Sequence, residues 1–229
     1  MLQRLKKEPL IVATHNAGKL LEFQELLHPF GLSLLSAKDL ALDEPEETGT
    51  SFEENAAIKA LAAARSTGYL ALSDDSGLEI DALEGQPGIY TAAWAIKPNG
   101  ERDFCWAMEK VEQALQKCCA IEKEQRSAQF VCVLCLATPE GEKIFFNGSV
   151  KGHLVWPPRG NRGFGYDAIF QPEGHKETFG ELSATQKHGW RLGQEQALSH
   201  RAQAFKKFAH ALLIADNGGC LLYTSPSPR

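Results

Sequence analysis

Glu47 to Gly77, ETGTSFEENAAIKALAAARSTGYLALSDDSG, decides the fold, because an acidic loop, a helix and a strand follow one another there without a spacer. Ser51-Phe52-Glu53-Glu54 places Ser at an N-cap and Glu at N3, so a helix is predicted from Ser51 through the Ala-rich segment to about Thr67. Asn55 and Lys59, four residues apart, share one face of it just past its start. After Gly68, Leu70-Ala71-Leu72 reads as a short buried strand, with Asp74-Asp75-Ser76-Gly77 punctuating its end. Two adjacent carboxylates at a strand tip are costly unless a cation or proton separates their charges. Glu47 would add a third hard oxygen from the preceding loop. Such a set suits Mg²⁺, which keeps waters and leans on substrate phosphates rather than on a full protein cage. Taken alone, the quartet reads as a turn and Asn55/Lys59 as a solvated helix face.

Working outward, the chain of 229 residues is 43% hydrophobic, enough for one large domain or two lobes with a real core. Its net charge of -5 argues against a general nucleic-acid binder, and a polyanionic ligand would need local Lys, Arg or a metal. No apolar run has the length of a membrane span, and Met1 to Lys7 lacks a signal-peptide core, so no membrane association is expected. Six cysteines without a disulfide framework fit a reducing cytoplasm. Cys132 and Cys135 lie three apart in a strand-like run, hence on opposite faces, which reads as structural.

Upstream, Leu10-Ile11-Val12-Ala13 reads as a buried strand and Leu20, Phe23 and Leu27 as one side of a helix. Between them Thr14-His15-Asn16-Ala17-Gly18-Lys19 makes a strand-turn-helix arrangement, which aims free backbone N–H groups at an anion. It is neither a Walker A loop nor a dinucleotide fingerprint. Downstream, Leu78-Glu79-Ile80 alternates as a strand, and Gly85-Gln86-Pro87-Gly88 is a loop. A helix from about Asp103 to Lys117 carries Phe104, Met108, Val111 and Leu115 at helical spacing. Phe130–Ala137 and Ile144-Phe145-Phe146, split by Pro139-Glu140-Gly141, give a hairpin and suggest a second lobe of antiparallel strands. Trp156-Pro157-Pro158 ends another strand. In the turn Gly163-Phe164-Gly165-Tyr166-Asp167, glycines let the backbone approach a flat ligand, an aromatic can stack on a base, and Asp167 can accept from a ring N–H. Ser199 is a good N-cap for a helix with Phe205, Phe208 and Leu212 on one face. His200 and Arg201 in its first turn oppose the helix dipole, which hints at an offsetting ligand.

These pieces, with Glu47-Thr48-Gly49 and Asp74-Asp75-Ser76-Gly77-Leu78, occur in order up to about Leu213. As a set, the chain resembles the inosine triphosphatase-like non-canonical purine nucleoside triphosphate pyrophosphatases. The resemblance implies an α/β fold, an elongated mixed sheet with flanking helices and two lobes around a central cleft, filled by residues 1–216. It implies a homodimer that cleaves a nucleoside triphosphate such as ITP, dITP or XTP between the α and β phosphorus. Carried over, Thr14, His15, Asn16, Ala17, Gly18 and Lys19 would hold the triphosphate, with Asn55 and Lys59 beside it. Glu47, Asp74 and Asp75 would bind Mg²⁺, Asp75 would accept a proton, and Ser76 would touch substrate. Phe164, Gly165, Tyr166, Asp167, Lys187, His200 and Arg201 would surround the base. His15 stands where many relatives have Gly, and His188–Gln196 lengthens the link from Lys187 to Ser199. Residues 217–229, ending Ser-Pro-Ser-Pro-Arg, are expected to be disordered or non-native. A nucleotide pyrophosphatase with another base preference and a catalytically silent nucleotide-binding module are the alternatives.

Overall fold

The computed structural model describes residues 1–190 and 197–216; the expectations for residues 191–196 and 217–229 lie outside these. The three parts of the Glu47–Gly77 stretch assemble as one unit. Ser51 caps helix α2 (Phe52–Thr67) by accepting from the Glu54 N–H, and Gly68 ends it in the left-handed region at φ 75°. The Glu54 carboxylate reaches back to the Thr50 N–H at 2.6 Å and its hydroxyl at 2.9 Å, completing the loop-to-helix junction.

One expectation is corrected. Asp74-Asp75-Ser76-Gly77 does not end a strand: β3 runs unbroken from Ala71 to Ile80 and absorbs the Leu78–Ile80 segment. The quartet is held extended by antiparallel pairing, Asp74 opposite Leu134, Asp75 opposite Val133 and Gly77 opposite Val131. Turn propensity is a local preference, and ten consecutive ladder pairs override it.

The remaining strands are β1 (Leu10–Val12), β2 (Leu34–Ser36), β4 (Ser127–Ala137), β5 (Lys143–Leu154) and β6 (Phe170–Pro172). They form one mixed six-stranded sheet in the order β2-β1-β3-β4-β5-β6, parallel on the β1 side of β3 and antiparallel beyond it. The β4–β5 hairpin is present and longer than the sequence suggested, and the strand expected to end at Trp156 is the far end of β5. Helices α1 (Ala17–Leu27), α3 (Phe104–Lys117), α4 (Ala184–His188) and α5 (His200–Asp216) complete the α/β architecture.

Alternation along β4 sorts the core. Cys132, Leu134 and Leu136 face Phe205 and Phe208 of α5, whereas Val133, Cys135 and Ala137 face Phe52, Ala56 and Ala60 of α2. Cys132 and Cys135 are therefore packing residues on opposite faces, and burial raises both thiols to about 12. The five described cysteines are unpaired. Close contact between α5 and the sheet depends on Gly148 of β5: a Cβ there would sit 2.2 Å from the His200 carbonyl oxygen and 2.4 Å from the Ala204 nitrogen. Among the described residues no helix is long and apolar enough to cross a membrane.

Candidate active site

Because adjacent strand residues point to opposite faces, Asp74 and Asp75 diverge although they are neighbours in sequence. Asp74 turns toward α1 and α5, where its Oδ2 accepts from Lys19 Nζ at 2.9 Å and Arg201 Nη2 at 3.1 Å. Asp75 turns toward α2, where its Oδ1 accepts from Lys59 Nζ at 3.1 Å. The two carboxylates thus each have their own cation rather than sharing one. Their protonation differs accordingly. Burial pushes Asp74 up, but Lys19, Arg201 and Lys59 outweigh it and hold the carboxyl well below the usual range. For Asp75 burial prevails over Lys59 and Lys19, with Glu47 and Asp74 assisting, and the carboxyl rises. Lys59 also binds Glu47 at 2.5 Å; burial disfavours its charge, but Asp75, Asp74 and Glu47 together raise it, so the ammonium is firmly protonated.

These groups open into a cleft of about 290 Å³. Thr14, His15, Asn16 and Lys19 line one part of it, and Glu47, Lys59, Asp74, Asp75 and Ser76 another. Asn16 caps α1 by accepting from the Lys19 N–H at 3.1 Å, leaving the helix start facing the cleft. Ala17 and Gly18 open that helix without lining the cleft. Gly18 instead makes room for the Phe164 ring, 3.3 Å from where its Cβ would stand.

Phe164, Gly165, Tyr166, Asp167, His200 and Arg201 also line the cleft. Phe164 is 41% exposed, available for stacking. Tyr166 is fixed by its hydroxyl donating to the Thr91 carbonyl at 3.0 Å and by edge contact with Phe104. Asp167 accepts from Lys187 Nζ at 2.9 Å and from the Phe164 N–H at 3.3 Å. Burial raises Asp167 more than Lys187 lowers it. Lys187 and Asn55 are not on the main cleft. Lys187 is buried behind it as the counter-ion of Asp167, and Asn55 accepts from the Gly49 N–H at 2.9 Å, fastening the Glu47 loop to α2.

Two residues that sequence reading passed over tie α1 to α5. Glu22, buried between Leu21 and Phe23, is paired with Arg201 Nη1 and with His188 Nε2 at 3.2 Å. His188 Nδ1 lies 2.8 Å from Ser199 Oγ, whose hydroxyl also caps α5 by accepting from the Ala202 N–H. Burial, Arg201 and Lys187 lower His188 to about 4 against the pull of Glu22, so its imidazole is neutral near pH 7. Nothing in the local sequence separates Glu22 from the exposed Glu25; only Arg201, brought to it by α5, does. His200 stacks on Phe130 with ring centroids 5.0 Å apart, and burial, then Arg201, pushes its imidazole well below the ordinary range.

Among the described residues no three His, Cys, Asp or Glu side chains gather closely enough to cage a metal. Yet Asp75 Oδ2 and Asp74 Oδ1 are buried with no hydrogen-bond partner, an expensive condition for carboxylate oxygens. The orphaned Asp75 oxygen, on the carboxylate that Lys59 also binds and with few protein ligands near it, fits a hard cation that takes its other ligands from water and phosphate.

The Ham1 family model matches residues 10–211. The dITP/XTP pyrophosphatase of Brucella melitensis is 59% identical over 212 residues, 93% of this chain and 96% of that protein. The enzyme of that name from Rhizobium meliloti is 58% identical over 214 residues, covering 93% of this chain and all of the other. Among solved structures, a HAM1 protein from Coxiella burnetii superposes with a TM-score of 0.78 at 35% identity, covering 90% of this chain and 98% of that one. The Staphylococcus aureus Ham1 protein gives 0.73 at 32% identity, covering 93% and 100%. The chain belongs to the Ham1 family.

Proposed function

We propose that this chain hydrolyses non-canonical purine nucleoside triphosphates, ITP, dITP and XTP, to the monophosphate and pyrophosphate. The observation that carries the reading is that the N-terminus of α1, with Lys19, shares one cleft with Asp75, a buried carboxylate that keeps one oxygen unpartnered. Relatives at 58–59% identity bearing the name dITP/XTP pyrophosphatase support it.

The start of α1 and Lys19 bind the phosphates, neutralising charge as phosphoryl-transfer sites require. Glu47 and Asp75 would hold Mg²⁺, which would supply further charge neutralisation on the phosphate oxygens, while Asp74, on the other face of β3, is taken up by Lys19 and Arg201. Asp75, its carboxyl raised by burial, accepts the proton of the attacking water, a contribution typically worth about 10²- to 10⁴-fold. Lys59 favours the ionised form of Asp75 against burial and orients it. At the other end Phe164 stacks on the base. Hypoxanthine and xanthine carry a carbonyl at the 6-position where adenine has an amine. An N–H of Arg201 or His200, both of which line the cleft, would donate to that carbonyl and be left unpaired by an amine. Residues 1–216 act as the catalytic domain, two lobes about this cleft, in a cytoplasmic homodimer whose mass light scattering would give.

The test is to incubate the protein with ITP, XTP, GTP, ATP and dTTP, with and without Mg²⁺, and separate the products by ion exchange. Mg²⁺-dependent monophosphate and pyrophosphate from ITP and XTP, with little from ATP, is expected. Diphosphate with orthophosphate would overturn the α,β cleavage, and binding of ITP without turnover would leave a silent binding module.

A further inference from the structure

Four Lys and Arg side chains line the cleft against seven Asp and Glu, an unfavourable balance for admitting a polyanion. Three of the four cations are committed. Lys19 is held by Asp74, Lys59 by Glu47 and Asp75, and Arg201 by Glu22 and Asp74. The fourth is Arg102. It is exposed, it lines the same cleft, and no carboxylate among the described residues pairs with it.

The root of this side chain is fixed although its end is free. Arg102 forms an antiparallel bridge with Ile96, closed by Lys97 N–H to Glu101 O and Asp103 N–H to Ala95 O, each 2.8 Å. Gly100, at φ 83°, makes the tight turn between them. The next residue, Asp103, caps α3 by accepting from the Cys105 and Trp106 N–H groups. Lys97 is paired with Glu101 and Asp103, so the carboxylates flanking Arg102 in sequence are satisfied elsewhere. A long cation with an anchored backbone and no partner, facing a cleft whose other cations are neutralised, is built to meet an anion that arrives.

We propose that Arg102 is a further substrate-binding residue that grips the phosphate chain of the nucleotide. This rests on the triphosphate reading of the cleft. Hypoxanthine carries no net charge at neutral pH, whereas phosphate oxygens match the guanidinium fork in charge and geometry. Arg102 thus supplies from the leading edge of α3 the uncommitted positive charge that the phosphate loop lacks.

The experiment compares wild type, Arg102→Ala and Arg102→Lys in Mg²⁺ buffer. It measures kcat and KM for ITP and ATP, the inhibition constant of inorganic tripolyphosphate, and melting temperature. Arg102→Ala should raise KM for ITP and the tripolyphosphate constant in parallel, by roughly 10- to 100-fold, the worth of a charge-assisted hydrogen bond. The ITP-to-ATP preference and the melting temperature should stay put, and Lys should restore part of the loss. Unchanged tripolyphosphate inhibition overturns the inference, and so does a changed ITP-to-ATP ratio with that inhibition intact, which would assign Arg102 to the base. A lowered melting temperature in both variants overturns it too, by making the residue structural. The two readings fail separately. Wild-type protein that releases no pyrophosphate from ITP, yet binds tripolyphosphate through Arg102, refutes the proposed reaction alone. Normal wild-type turnover with indifferent Arg102 variants refutes only this inference.

Discussion

Glu22→Ala probes the junction on which the site depends. Arg201 is almost wholly enclosed, with 2% of its side chain exposed, and its charge is balanced by Glu22 and by an Asp74 that also serves Lys19. Removing Glu22 leaves Arg201 under-compensated and strips the Nε2 partner from His188. Breaking a buried ion pair from one side typically costs about 3–5 kcal/mol, because the remaining charge stays desolvated. In a domain of this size each kcal/mol lowers Tm by about 2–4 °C, so a loss of roughly 6–20 °C is expected. Glu22→Gln keeps the shape and one acceptor, and should lose about half as much. Since Glu22 also sets where the Arg201 fork lies, Glu22→Gln should narrow the preference for ITP over ATP. Urea and thermal denaturation followed by circular dichroism, with initial rates on both nucleotides, measure the two effects. A Glu22→Ala protein within about 0.5 kcal/mol of wild type would refute the reasoning, since that is the range of an ordinary surface change.

Gly148→Ala should displace the start of α5, because its Cβ would overlap the His200 carbonyl and the Ala204 nitrogen. Overpacking of this kind costs about 1–3 kcal/mol, and activity should fall alongside Tm as His200 and Arg201 move. Stability should also fall on acidification between pH 6.5 and about 4. His188 takes up a proton near 6.5 when unfolded but only near 4 when folded, so the unfolded chain binds more protons throughout that window. Depressed His200 adds to the same slope. His188→Gln should flatten it by its share, as read from urea midpoints across that pH range; a slope identical to wild type would refute the assignment.

The parts of the fold that were legible rest on short-range rules. Ser51, Asp103 and Ser199 announce helix starts because capping is decided within four residues. The Phe130–Phe146 hairpin was visible because its strands are neighbours in the chain. The Asp74–Gly77 quartet misled for the complementary reason. Its composition favours a turn, while ten rungs with β4, more than fifty residues away, keep it extended. That difference matters chemically, since a strand sends the two carboxylates to opposite faces where a turn would have crowded them. The candidate site was legible as residue types in order. Its internal wiring was not, because Glu22, His188 and Arg102 gain meaning only from elements that the fold brings to them.

The proposed chemistry rests on Asp75 as the proton acceptor of the cleft. The most direct test is single-turnover hydrolysis of ITP by Asp75→Asn, paired with calorimetric binding of ITP and a melting curve. The account predicts a folded protein that still binds ITP and hydrolyses it at least about 100-fold more slowly, the lower bound for losing a general base. Turnover within a few-fold of wild type would contradict it.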